Sequence, residues 1–225
     1  MCAAVILEQP SIALICSLRP VYPAMICSRC MAQFERIGPQ CCSGCGRQMT
    51  TQGVCPDCQR WQQLYPGEQF TNRALLTYNE PMQQYFQRYK GQGDYRLRHV
   101  FQRLIRENFP VQRQTAYIPV PTDPTHLQSR GFNPVVGLYE DCFPLTPLLQ
   151  KLPTEKGQAQ KKSCRALSNA AIFFKCAQNV LLSSKVQQLI LLDDIYTTGR
   201  TLWHAQQCLR KRYQTLPIHA ITLVH

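Results

Sequence analysis

The sequence predicts an α/β protein, a parallel sheet covered by helices and preceded by a small cysteine-rich module. Two observations carry this reading. The first is the run Leu189, Ile190, Leu191 and Leu192, which ends in Asp193 and Asp194. Apolar, β-compatible residues without alternation suit a strand buried on both faces, as in a parallel sheet with helices above and below. The second is the cysteine distribution: nine of the 13 cysteines fall within the first 58 residues, and only Cys142, Cys164, Cys176 and Cys208 lie beyond.

The early cysteines include the pairs Cys27-x-x-Cys30, Cys42-x-x-Cys45 and Cys55-x-x-Cys58. A Cys-x-x-Cys turn presents two thiolates to one ion, and a second such turn a short hairpin away completes the tetrahedral shell that zinc prefers. Cys42, Cys45, Cys55 and Cys58 are therefore the first-choice zinc ligands. Cys27 and Cys30 would need further ligands, for which Cys2, Cys16 and Cys41 are candidates; the alternative is a degenerate pair that only packs. The chain has no stretch composed like a secretory signal and no apolar run of membrane-spanning length. These features predict a soluble cytoplasmic protein, a setting in which paired cysteines serve metals rather than disulfides. The zinc-binding module is expected to cover residues 1–66 and the sheet domain residues 67–225. A polar and aromatic linker at about 59–68, containing Trp61 and Tyr65, would join them.

Within the sheet domain a strand at 74–78 is ended by Asn79, Glu80 and Pro81, after which Met82, Tyr85, Phe86 and Tyr89 recur at helical spacing. Leu97, Val100, Phe101, Leu104 and Ile105 mark a second helix over about 95–108, stopped by Pro110. A strand at 116–121 opens into a loop that runs on to Arg130, Gly131, Phe132 and Asn133. Residues 151–168 carry Lys151, Lys156, Lys161, Lys162 and Arg165 among Gly, Gln and Ser, and read as a basic loop. The strand at 189–192, a helix at about 201–212 with Leu202, Ala205 and Leu209 on its inner face, and a strand at 218–224 complete the alternation.

Ligands of open α/β sheets bind outside the carboxyl ends of the strands, where Asp193 and Asp194 would project. Thr197, Thr198 and Thr201 then supply hydroxyls, Gly199 lets backbone N–H groups approach an anion, and the positive end of the next helix points at it. Carboxylates beside an anion cradle suit a sugar phosphate. The acids accept bonds from ribose hydroxyls while the turn holds the phosphate.

This stretch resembles the phosphoribosyl-diphosphate (PRPP) motif of type I phosphoribosyltransferases. The resemblance implies Asp193 and Asp194 on the ribose hydroxyls, and Thr197, Thr198, Gly199, Arg200 and Thr201 around the 5′-phosphate, with Mg²⁺ on the diphosphate. Tyr89, Lys90, Gly93 and Asp94, then Pro119, Val120 and Pro121, then Arg130, Gly131, Phe132 and Asn133 precede it in the chain. With the cysteine pairs, this order is similar to the ComF family of competence-associated, phosphoribosyltransferase-like proteins over nearly the whole chain. That similarity implies a type I phosphoribosyltransferase-like sheet domain behind a zinc-ribbon module, and PRPP as a ligand near Arg130. It also implies work on single-stranded DNA during uptake and natural transformation, beside DNA-uptake or recombination proteins. The family's usual basic residues before Arg130 are here His126, Gln128 and Ser129.

Lysine and arginine number 25 against 13 acidic residues, and the net charge of +12 favours a polyanionic partner. Arg88, Tyr89, Lys90, Tyr95, Arg96 and Arg98 interleave basic and aromatic residues in a way that suits single strands. Three readings follow: a competence protein that binds nucleic acid and PRPP, a metabolic phosphoribosyltransferase acting on a nitrogenous acceptor, and a non-catalytic PRPP sensor or adaptor. No residue is assigned as catalytic.

Overall fold

The structure, a computed structural model, describes residues 6, 16, 22–152 and 174–225. Its strands are β1 (Thr71–Leu76), β2 (Thr115–Pro119), β3 (Leu149–Lys151), β4 (Phe174–Cys176), β5 (Gln188–Ile195) and β6 (Ile218–Val224). Four of them form a parallel sheet in the order β1-β6-β5-β2, and β3 pairs antiparallel with β4. The described helices are α1 (Ser28–Met31), α2 (Pro56–Leu64), α3 (Glu80–Phe86), α4 (Gln102–Asn108), α5 (Pro124–Arg130), α6 (Pro134–Tyr139) and α7 (Arg200–Arg210).

Side chains along β5 alternate between faces and are buried on both. Ile190 and Leu192 join a core with Met82, Tyr85, Tyr89 and Phe101, whereas Leu189 and Leu191 join one with Trp61, Leu202 and Trp203. The α/β reading therefore holds. The first strand starts earlier than the expected 74–78, at Thr71. The expected helix over 95–108 divides into a 3₁₀ turn, Tyr95–His99, and α4, yet all five of its predicted apolar residues are buried.

The expected linker at 59–68 is corrected. Helix α2 runs through its first part, with Pro56 in the first turn, and Trp61 is completely buried, stacked 5.5 Å from Trp203. Residues before α2 also close the outer side of β1. Ile37 N–H donates to the Leu75 carbonyl at 3.0 Å, Thr77 N–H to the Glu35 carbonyl at 2.9 Å, and Asn72 N–H to the Gly44 carbonyl at 2.7 Å. Among the described residues no helix is long and apolar enough to cross a membrane. Cys2, Lys156, Lys161, Lys162 and Arg165 lie outside the described residues.

Candidate functional site

The two cysteine turns meet at one point. The sulfurs of Cys42, Cys45, Cys55 and Cys58 are buried and lie within 4.8 Å of one another. A zinc–sulfur distance of about 2.3 Å puts tetrahedral sulfurs about 3.8 Å apart, and the Cys45 and Cys55 sulfurs are separated by 3.6 Å. The donor set fits one tetrahedral metal ion. Gly44 is required by this approach, since a Cβ there would stand 2.9 Å from the Cys58 sulfur. The cluster also draws the Cys45 thiol down to about 3, chiefly through its hydrogen bond with Cys58. Among the described residues this is the only group of three or more side chains able to share an ion. Cys30 is buried in the core with Phe34, with Cys27 packed against it, and Cys16 is exposed.

The same module grips the loop after β5. Trp61 Nε1 donates to the Thr198 carbonyl at 2.7 Å, and Arg47, paired with Asp57 at 2.7 Å, makes a longer bond of 3.4 Å to the Thr197 carbonyl. Because a trans peptide points its N–H opposite to its C=O, these two contacts turn the N–H groups of Thr198 and Gly199 away from the module. Thr197, Thr198 and Thr201 are exposed. Gly199 has a φ of +78° and caps α7, and a ring carbon of Tyr196 lies 2.6 Å from where its Cβ would be. Any larger residue there would have to displace the Tyr196 ring and hold a strained left-handed backbone. Arg200 opens α7 one turn before His204, whose imidazole is held below its ordinary value by burial and then by the Arg200 charge.

Strand β5 continues through both acids, which are buried at its carboxyl end. Asp193 Oδ1 accepts from the Asp194 N–H at 2.9 Å, and the Asp193 carbonyl accepts from the Tyr139 hydroxyl at 2.9 Å. Burial, then the neighbouring Asp194 charge, pushes the Asp193 carboxyl from 3.8 up to about 8. Asp194 instead meets a cation: its Oδ2 lies 2.6 Å from Lys90 Nζ. The site thus joins a protonatable acid, an ion-paired acid and a loop of outward N–H donors, which together can hold a ligand bearing both hydroxyl and anionic groups.

Over 188 residues, 83% of this chain and 81% of its relative, the sequence is 33% identical to the competence protein ComFC of Streptococcus pneumoniae. The chain belongs to the ComFC family. ComFC of Bacillus subtilis is 29% identical over 206 residues, 88% of this chain and 83% of that protein. No protein-family profile matches the chain.

In this chain the Tyr89–Asp94 and Arg130–Asn133 motifs form one structure. Arg130 Nε donates to the Lys90 carbonyl at 2.7 Å. The Tyr89 hydroxyl donates to the Pro134 carbonyl at 2.9 Å, Phe132 packs 5.3 Å from Tyr89, and Asn133 caps α6. Sequence reasoning placed Lys90 in a motif but not in the site. The contact that puts it there crosses from the turn after α3 to β5 and leaves no local spacing to detect. Trp61 and Arg47 were missed for the same reason. The basic and aromatic stretch 88–98 is largely engaged internally: Tyr89 is buried, Arg88 and Arg96 pair with Asp94, and Arg98 pairs with Glu140. Tyr89 therefore offers no face to a base.

Proposed function

We propose that this chain binds a phosphorylated ribose, PRPP, at the carboxyl end of β5, and that it serves the uptake of single-stranded DNA in natural transformation. The loop carries the ligand reading: the Thr197 and Thr198 carbonyls are bound from behind, so that consecutive N–H groups face outward beside two carboxylates. In this arrangement Asp193 and Asp194 accept from the ribose hydroxyls, and residues 197–201 hold the 5′-phosphate. Mg²⁺ would supply charge neutralisation for the diphosphate. Residues 1–66 act as a module held by structural zinc at Cys42, Cys45, Cys55 and Cys58, which supports the sugar-phosphate domain of residues 67–225. The competence role rests on kinship with two proteins named for competence, and the DNA partner on the net charge of +12. Work in the cytoplasm beside DNA-uptake or recombination proteins accords with both.

Calorimetric titration with PRPP and Mg²⁺ tests the site. Asp194→Asn and Thr198→Ala should each weaken PRPP by roughly ten- to a hundredfold, the cost of a lost charged hydrogen bond. Parent-like binding by both variants would remove the assignment. Incubating the protein with PRPP and panels of bases and oligonucleotides, and following pyrophosphate, separates roles. Release with one small base would make the chain a metabolic transferase.

A further inference from the structure

The motif around Lys90 and the motif around Arg130 are built into one support beside Asp194. Lys90 sits in a single π-helical turn, Gln87–Gly91, that follows α3. Such turns are rare and concentrate at functional sites. Arg130 Nε holds the main chain of this turn at the Lys90 carbonyl, and the Tyr89 side chain anchors the turn through its hydroxyl on the Pro134 carbonyl. From that support the Lys90 stem runs beside Phe86, with Nζ 4.6 Å from the ring centre, and the ammonium ends 2.6 Å from Asp194 Oδ2. Both side chains are partly shielded, 24% and 10% exposed.

We infer that Lys90 is a ligand-binding residue: the resident counter-ion of Asp194 in the ligand-free protein, which moves to the diphosphate when PRPP enters. This inference rests on the ribose-phosphate reading of the site. Two adjacent buried carboxylates cannot both stay charged without a partner. Asp193 responds by holding a proton and Asp194 by holding Lys90. Ribose hydroxyls bring donors that can replace the ammonium at Asp194, and the same ligand brings an anionic group in need of a cation. An ammonium on a four-carbon stem can swing between these partners, because it is a point charge with three rotatable donors. The Arg130 guanidinium is committed at Nε to the backbone and serves as the fixed part of the support.

The test titrates the parent protein, Lys90→Gln and Lys90→Met with two probes: PRPP in Mg²⁺, and ribose 5-phosphate, which has the hydroxyls and 5′-phosphate but no diphosphate. Loss of Lys90 should weaken PRPP by roughly ten- to a hundredfold. Ribose 5-phosphate should hold or gain affinity, since Asp194 no longer has to release a cation. Lys90→Met keeps the stem beside Phe86 and stands in if the Gln variant melts early. An equal loss for both probes would make Lys90 a structural ion pair and overturn the inference, as would PRPP affinity unchanged in both variants. A parent protein that binds neither probe overturns the ribose-phosphate reading itself, and its own titration identifies that case.

Discussion

The indole N–H of Trp61 donates to the carbonyl of Thr198 at 2.7 Å, joining the helix that carries Cys58 to the loop after β5. The bond fixes one peptide plane of that loop, and with it the outward direction of the next N–H. Trp61→Phe keeps an aromatic ring against Trp203 but removes the donor. PRPP affinity should fall by roughly two- to tenfold, the net worth of one neutral hydrogen bond, while metal content stays at the parent level. Calorimetry combined with elemental analysis checks both halves; unchanged affinity would mean that the loop keeps its geometry unaided.

Metal removal should be more severe. The protein is expected to purify with zinc, and Cys42→Ser or Cys58→Ser should lose it and melt earlier, because the binding energy of such a site is folding energy. A chelator should lower the melting temperature of the parent and leave that of Cys58→Ser little changed. A metal-free protein that melts like the purified one would remove the zinc assignment. Two equivalents per chain would show that Cys27 and Cys30 find further ligands.

Asp193 predicts a pH dependence with a definite sign. Its carboxyl titrates at about 8 in the fold against 3.8 ordinarily, so between those two values the folded chain keeps a proton that the unfolded chain has released. Stability from this group is full below the lower value and is lost as pH rises through the upper one. Within that window the unfolding free energy should fall by at most about 1.4 kcal/mol for each pH unit on account of this one proton. Asp193→Asn should flatten the slope of unfolding free energy against pH, as measured by denaturant titrations at several pH values. A slope equal to the parent's would assign the titration to another group.

Single-stranded DNA should bind without sequence preference and release as salt increases. On a single strand the logarithmic slope is about −0.7 per neutralised phosphate, so replacing Lys161 and Lys162 together by Gln should flatten it by about 1.4 units if both touch phosphates. Fluorescence anisotropy of a labelled oligonucleotide over a salt series measures this, with zinc content as the control. Failure to bind even at low salt would sink the DNA partner.

What was legible in the sequence is what repeats locally. Strand β5 announced itself because a strand buried on both faces needs no alternation, and the cysteine pairs because a metal knuckle has a fixed spacing. Helix α2 did not, since Cys58, Trp61 and Leu64 are its only apolar residues in an otherwise polar stretch; its burial comes from the cysteine cluster on one side and Trp203 on the other. The break after Tyr95–His99 was hidden for the opposite reason. Leu97 faces the core from a 3₁₀ turn and Val100 from the residue that ends it, as they would from an α-helix, so the apolar pattern cannot distinguish the two. Within the site, the acids and the loop were readable as one stretch, whereas Lys90, Arg47 and Trp61 arrive from distant parts of the chain and only the fold brings them together.

The contacts of Gly44, Glu35 and Ile37 along β1 have a consequence for solubility. A parallel sheet ends in two open edges, and an uncovered edge is a template on which another chain can add a strand. Here the segment before α2 occupies that place on β1, so the cysteine cluster anchors an edge guard. A protein stripped of its metal should therefore fail first by self-association, visible as rising light scattering at temperatures where the sheet is still folded. A form starting at residue 67 should aggregate in the same way from the outset.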